Sequence, residues 1–94
     1  MNKSLECAKT LFVKVYHQDP NNINVLNRFL NLISQLSEKE EAVLIARYGI
    51  EDGQLKTVKE VSYYYGVSES TIRKVESMAI KKLRHPSKEK SIYG

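Results

Sequence analysis

Several residue types that mark particular protein classes are scarce in this 94-residue sequence. Cys7 is its one cysteine, which excludes a disulfide within the chain and a metal site built from a cysteine cluster. The two histidines, His17 and His85, lie far apart in the sequence and have no evident catalytic partner. Neither a Gly-rich phosphate loop nor a metal-ligand spacing appears. We therefore predict that the protein is not an enzyme and uses no cofactor or metal ion.

Long apolar runs are also missing. No run approaches the roughly 20 residues that are needed to cross a bilayer, and the start of the chain lacks the apolar segment of a signal peptide. We therefore expect a cytoplasmic protein that does not associate with a membrane. With 41% hydrophobic and 28% charged residues, the composition is typical of a globular domain.

Positive charge is concentrated near the carboxyl end of the sequence. The net charge is +4, and it divides into +2 over residues 1–36, −2 over residues 37–66 and +4 over residues 67–94. A basic segment attracts phosphate groups, which is typical of nucleic-acid binding. A basic helix is more often only a solvated face, however, so the charge needs support from a motif.

The spacing of apolar residues predicts an all-α fold with five helices. Apolar residues three and four positions apart form one stripe over residues 4–17 and a second over residues 23–36. Two capping-box patterns and a capping serine, each followed by an apolar stripe, then open three further helices. These are predicted over residues 37–49, 57–65 and 69–84.

The same pattern divides the chain into three parts. Residues 1–36 form two amphipathic helices, which either pack on the rest of the chain or pair with a second subunit in a homodimer. Residues 37–88 form a domain that ends in a helix-turn-helix. We expect residues 89–94 to be a flexible tail.

The helix-turn-helix is predicted from residues at fixed offsets. Two helices that cross steeply need a small residue where they approach and a glycine in the turn, and Ser62 and Gly66 supply these. Val67 is expected to plug the turn and to form a hydrophobic staple with Ile72. The other apolar positions of the motif are Val61 and Val75. An ordinary helical hairpin could share the glycine, but the full set together with positive charge favours DNA binding.

The outward face of the fifth helix is predicted to enter the major groove. Arg73 and Lys74 can donate hydrogen bonds to guanine edges or to phosphates. Glu69 could accept a bond from a cytosine amino group, or it could only favour the positive end of the helix dipole, and both alternatives stay open. The candidate base-reading residues are Glu69, Ser70, Arg73 and Lys74. The candidate phosphate contacts are Thr57, Arg47, Ser77 and Lys81.

From Leu36 to about Lys88 the sequence resembles region 4 of bacterial sigma factors of the housekeeping type. The matching segments are Leu36–Leu44, Arg47–Ile50, Thr57–Val61, Ile72–Arg73 and Ala79–Ser87. The resemblance implies a domain that reads the upstream promoter hexamer and holds the flap of RNA polymerase through apolar residues. It makes Ala42, Ile45 and Ala79 candidates for a polymerase contact.

Three departures from that family concern the reading face. The positions of Glu69, Ser70 and Lys74 usually hold Arg, Glu and Gln in such sigma factors, so the usual hexamer preference is not expected here. The leading hypothesis is a sequence-specific transcription regulator that binds double-stranded DNA. The alternative is a module that binds RNA polymerase or another transcription protein and has little DNA affinity of its own.

Overall fold

A computed structural model describes residues 3–20 and 22–93, and every regular element in these residues is an α-helix. The helices are α1 (Lys3–Tyr16), α2 (Ile23–Ser34), α3 (Glu38–Tyr48), α4 (Val58–Tyr65), α5 (Glu69–Leu83) and α6 (Pro86–Tyr93). The all-α class is confirmed, and the described residues contain six helices instead of the five predicted. None of these six is long and apolar enough to cross a membrane.

The predicted capping boxes open α3 and α4. The hydroxyl of Ser37 accepts a hydrogen bond from the backbone N–H of Glu40, and the Glu40 carboxylate accepts one from the N–H of Ser37. Thr57 and Glu60 repeat the arrangement at the start of α4. Each box satisfies two backbone donors that a helix start leaves without partners.

The additional helix, α6, corrects the prediction of a flexible tail over residues 89–94. This segment continues α6 as far as Tyr93, and residue 94 lies outside the described residues. Ile92 is fully buried, and the guanidinium of Arg28 donates to its carbonyl oxygen at 3.1 Å. Pro86 begins the helix because its fixed φ and missing N–H suit the first helical position.

The main core lies where α1 and α2 pack against α3, α5 and α6. The rings of Phe12, Tyr16 and Phe29 form its centre, with edge-to-face contacts and centroids 5.0–5.7 Å apart. The apolar stripes of α1 and α2 are therefore covered within the chain. Of the two alternatives for residues 1–36, this burial favours packing on the rest of the chain.

Side chains also tie the ends of α1 and α5 together. The phenol of Tyr16 donates to the carbonyl oxygen of Leu83 at 2.8 Å, close to the end of α5. In the other direction, the guanidinium of Arg84 donates to the carbonyls of Val15 at 2.8 Å and Lys14 at 3.1 Å. Each helix thus satisfies carbonyl groups that the other leaves open at its carboxyl end.

Candidate nucleic-acid interface

A small second core holds α4 and α5 against α3. It consists of Val43, Val61 and Ile72, which are buried, with Ala46, Val58 and Val75 packed at its edge. Ser62 is buried in the same region, and its hydroxyl donates to the carbonyl of Lys59 at 2.8 Å. The small residue expected between the crossing helices is therefore in place.

The turn between α4 and α5 is closed by the backbone. Gly66 has φ 66° and ψ 36°, the left-handed conformation that glycine adopts without steric cost. The N–H of Val67 donates to the carbonyl of Ser62 at 3.0 Å, which ends α4 in the manner of a Schellman motif. The prediction that Val67 plugs the turn is wrong: the residue is 42% exposed, since main-chain hydrogen bonds close the turn without its side chain.

The outward face of α5 carries the predicted reading residues. Ser70, Arg73 and Lys74 are exposed, and Glu69 is partly exposed. The opposite face of α5 is buried through Ile72, Glu76, Ala79, Ile80 and Leu83. The structure therefore brings all four candidate base readers onto the first two turns of one helix, on the side away from the cores.

Glu69 and Arg73 are paired on this face. The Glu69 carboxylate accepts a hydrogen bond from the Arg73 guanidinium at 3.1 Å, the (i, i+4) spacing that brings side chains together on a helix. Glu69 also lies in the first turn of α5, where a negative charge favours the helix dipole. The two charges therefore partly neutralise each other on the face that carries the reading residues.

Three of the four candidate phosphate contacts are accessible. Ser77 and Lys81 are exposed on α5. Thr57 is exposed at the start of α4, where its hydroxyl oxygen accepts from the Glu60 N–H. The first backbone N–H groups of α4 lie beside it, so this helix start can receive a phosphate oxygen.

Arg47, the fourth candidate, is held inside the fold. Its Nε donates to the carboxylate of Glu76 at 3.0 Å, and its Nη1 donates to the carbonyl of Lys56. The side chain is only 24% exposed. These bonds give Arg47 a structural role that its position in the sequence did not reveal.

The carboxylate of Glu76 joins three helices. It accepts hydrogen bonds from Tyr48 at 2.6 Å and Arg47 at 3.0 Å in α3, and from Lys14 at 3.3 Å in α1. Burial acts to raise the pKa of Glu76, but the Tyr48 hydroxyl and the two positive charges outweigh it and hold this pKa below its ordinary value. The position of Glu76 within the apolar stripe of α5 is the sequence signal that could have revealed it.

Next to Glu76 lies a shallow depression at the junction of α1, α3, α4 and α5. Its polar lining comes from Lys14, Arg47, Arg73, Glu76 and Ser77. Val58, the first residue of α4, and Ile80 complete it. Lys14 of α1 was not predicted as a site residue, because no motif covers this part of the sequence.

The candidates for a polymerase contact divide into two groups. Ala42 and Ile45 are partly exposed and line a depression between α3 and α4. Ala79 is fully buried in the main core, so it is not available to a partner and its prediction is wrong. The α3–α4 depression is also lined by acidic side chains and tyrosines, namely Glu38, Glu41, Glu51, Asp52, Tyr64 and Tyr65.

Three consecutive tyrosines at the end of α4 form an exposed aromatic surface. Tyr63 is 89% exposed and Tyr64 is 78% exposed, and the ring of Tyr64 contacts that of Tyr65 with centroids 5.0 Å apart. The run of tyrosines was visible in the sequence, but only the structure shows that it lies outside the core. Large exposed aromatic surfaces are typical of interaction sites.

Nothing in the described residues resembles a metal centre: no group of three or more His, Cys, Asp or Glu side chains there is arranged to hold an ion. Cys7 is buried as a free thiol in α1.

Comparison with known proteins identifies the family. The family model for sigma-70, region 4 matches residues 32–85, more than half of the chain. The RNA polymerase sigma factor SigA of a Bacillus species is 42% identical over 62 residues, which cover 66% of this chain and 16% of that protein. The SigA proteins of Listeria monocytogenes and Listeria innocua are each 40% identical over 62 residues, 66% of this chain and 17% of their own length.

The chain thus corresponds to only a small part of the full length of these relatives. The resemblance expected from the sequence is confirmed over the helix-turn-helix and the helix before it. The matched segment contains α3, α4 and α5 completely, whereas α1 precedes it. On this evidence the chain belongs to the sigma-70 region 4 family.

Proposed function

We propose that the chain is a sequence-specific transcription regulator that binds double-stranded DNA by placing α5 in the major groove. The observation that carries this proposal is the division of α5 into two faces. One face is buried against α3 and α4, and the other presents Ser70, Arg73 and Lys74 in its first two turns. Helix-turn-helix proteins present such a face to base edges.

Further support comes from the start of α4. In the helix-turn-helix arrangement the first helix crosses the DNA backbone, and its amino end can hold a phosphate. The exposure of Thr57, the cap of α4, supports its proposed role in this contact. Ser77 and Lys81 extend the same role along α5. We expect a protein with this function to act in the cytoplasm.

A salt-dependent binding titration tests the proposal. We expect fluorescence anisotropy to show that the full chain binds a duplex of about 20 base pairs at about 50 mM salt. The logarithm of the affinity should fall with the logarithm of the salt concentration, by roughly 0.9 per phosphate contact. A chain that is folded by circular dichroism and does not bind duplex at this salt concentration would refute DNA binding.

A second candidate function is binding to RNA polymerase, and the α3–α4 depression favours it. Ile45 and Ala42 give this depression an apolar floor, and exposed tyrosines adjoin it. The named relatives are sigma factors of RNA polymerase. Substitution of Ile45 by Asp should then abolish co-purification with core polymerase and leave duplex binding unchanged. Arg73→Ala should instead weaken duplex binding and leave co-purification unchanged. Equal capture of wild-type chain and Ile45→Asp would exclude this surface.

A further inference from the structure

We propose that Lys14 of α1 contacts a DNA phosphate, so that the amino-terminal helix forms part of the DNA-binding surface. The inference rests on the proposed function and extends it to a helix that lies outside the segment matched by the family model. The observation behind it is the shallow depression that Lys14 shares with Arg73 and Ser77.

The depression adjoins the expected path of the DNA backbone. Its lining includes Val58, the residue that follows the Thr57 cap of α4, and Arg73 and Ser77 from the outward side of α5. When α5 lies in the major groove, the start of α4 faces the adjacent phosphates. We therefore expect Lys14, which shares this lining, to reach the same strand.

The charge of the depression favours an anion. Lys14, Arg47 and Arg73 contribute three positive charges to its lining, and Glu76 contributes one negative charge. Glu69, which pairs with Arg73, lies outside this lining. Its negative charge reduces the excess of positive charge but does not cancel it. Because Arg47 donates to Glu76 and to the Lys56 carbonyl, Lys14 is the better placed of these two cations to reach a ligand.

Lys14 combines exposure with a fixed position. Its side chain is 48% exposed, and its ammonium group contacts Glu76 at 3.3 Å. An ammonium group has three N–H donors, so the interactions with Glu76 and with the Tyr48 side chain leave one donor for a phosphate oxygen. The hydrogen bonds of Tyr16 and Arg84 hold α1 against α5, which keeps Lys14 at a constant distance from the reading face.

Charge-removing substitutions test this contact. We expect Lys14→Gln to reduce the salt slope of duplex affinity by roughly 0.9, the value for one phosphate. Lys14→Arg should retain the slope. Lys9→Gln is the matched control, since Lys9 is exposed on the same helix but lines a different depression, between α1 and α2. A structural role alone would lower the melting temperature of Lys14→Gln without changing the slope, and that result would overturn the inference.

Labelling of the wild-type chain gives an answer that does not depend on how the variants fold. Amine-reactive labelling read by mass spectrometry should show Lys14 protected by bound duplex and Lys9 unprotected. Equal labelling of Lys14 with and without duplex, in a chain that binds duplex with a clear salt slope, would overturn the Lys14 contact and leave the proposed function intact. Absence of duplex binding by the wild-type chain would overturn both.

Discussion

The phenol of Tyr48 donates a 2.6 Å hydrogen bond to the carboxylate of Glu76, and this bond joins α3 to α5 directly beneath the candidate DNA-binding surface. Lys14 and Arg47 bind the same carboxylate from α1 and α3. The orientation of the reading face therefore depends on a buried charged group, and the stability of the domain should depend on pH through it.

Replacement of Glu76 by Gln tests that dependence. We expect Glu76→Gln to lower the free energy of unfolding at pH 7 by about 1.5–3 kcal/mol, the usual contribution of hydrogen bonds to a charged group. The pKa of Glu76 is lowered in the folded chain, so its contribution is present above the ordinary value of 4.5 and is lost as pH falls through the lowered pKa.

Urea unfolding followed at pH 7 and at pH 3 measures this difference. The difference in free energy of unfolding between wild type and Glu76→Gln should be large at pH 7 and smaller at pH 3. Glu6→Gln, an exposed position on α1, is the control and should behave as wild type at both values. If this difference in free energy were larger at pH 3 than at pH 7, the result would contradict the assigned direction of the pKa shift.

Replacement of two glycines by alanine should lower stability by different amounts, although both glycines have the same backbone conformation. Gly49 and Gly66 have φ of 63° and 66°. A Cβ at Gly49 would lie 2.5–2.6 Å from backbone atoms of Gln54, whereas a Cβ at Gly66 meets nothing within 4 Å. Gly66→Ala should lower the free energy of unfolding by about 1 kcal/mol, because alanine is strained in the left-handed conformation. Gly49→Ala should cost about 3 kcal/mol, because overpacking adds to this strain.

Chemical denaturation of the two variants in parallel provides the comparison. Since each variant serves as the control for the other, differences in helix propensity cancel. Equal losses of stability would show that the Gln54 backbone does not confine Gly49.

The burial of Ile92 predicts that α6 is part of the core. Ile92→Ala should lower the free energy of unfolding by about 2–4 kcal/mol, as is usual when a buried aliphatic side chain is truncated. Lys90→Ala, at an exposed position two residues earlier, should leave stability nearly unchanged. Thermal or urea unfolding of both variants measures the effect. Wild-type stability in Ile92→Ala would restore the expectation of a frayed tail.

The pair formed by Glu69 and Arg73 predicts an effect on DNA affinity. Glu69→Gln should tighten binding to duplexes of random sequence by about two- to fivefold, since an exposed ion pair contributes up to about 1 kcal/mol and its loss frees Arg73 for DNA. Anisotropy titrations at constant salt measure the change, with Glu89→Gln on α6 as the control. Weaker binding of Glu69→Gln to every duplex would contradict this interpretation.

Much of the fold could be predicted from the sequence. The first five helices, both capping boxes and the buried Ser62 follow from local signals such as apolar spacing and capping residues. The sixth helix was not predicted, although Pro86 suits the first position of a helix. Ile92 is a single apolar residue in a polar segment, too weak a signal for a buried helix.

The site was predictable only in part, for a physical reason. The residues on the outer face of α5 follow from helical periodicity, and the structure places them together. Contacts between distant segments cannot be predicted from a local sequence pattern. Arg47 and Glu76 are 29 residues apart in the sequence, and Lys14 and Glu76 are 62 residues apart. Those contacts withdraw Arg47 from the surface and bring α1 to the edge of the reading face.

Selection of bound duplexes from a random pool tests the central proposal, that α5 reads DNA sequence, most directly. We expect the wild-type chain to enrich a sequence motif. Arg73→Ala and Lys74→Ala should lose preference at one or two base pairs and keep weak binding, whereas Lys39→Ala, an exposed position on α3, should enrich the same motif as wild type. A wild-type selection without enrichment, or an unchanged motif from both α5 variants, would contradict base reading by α5.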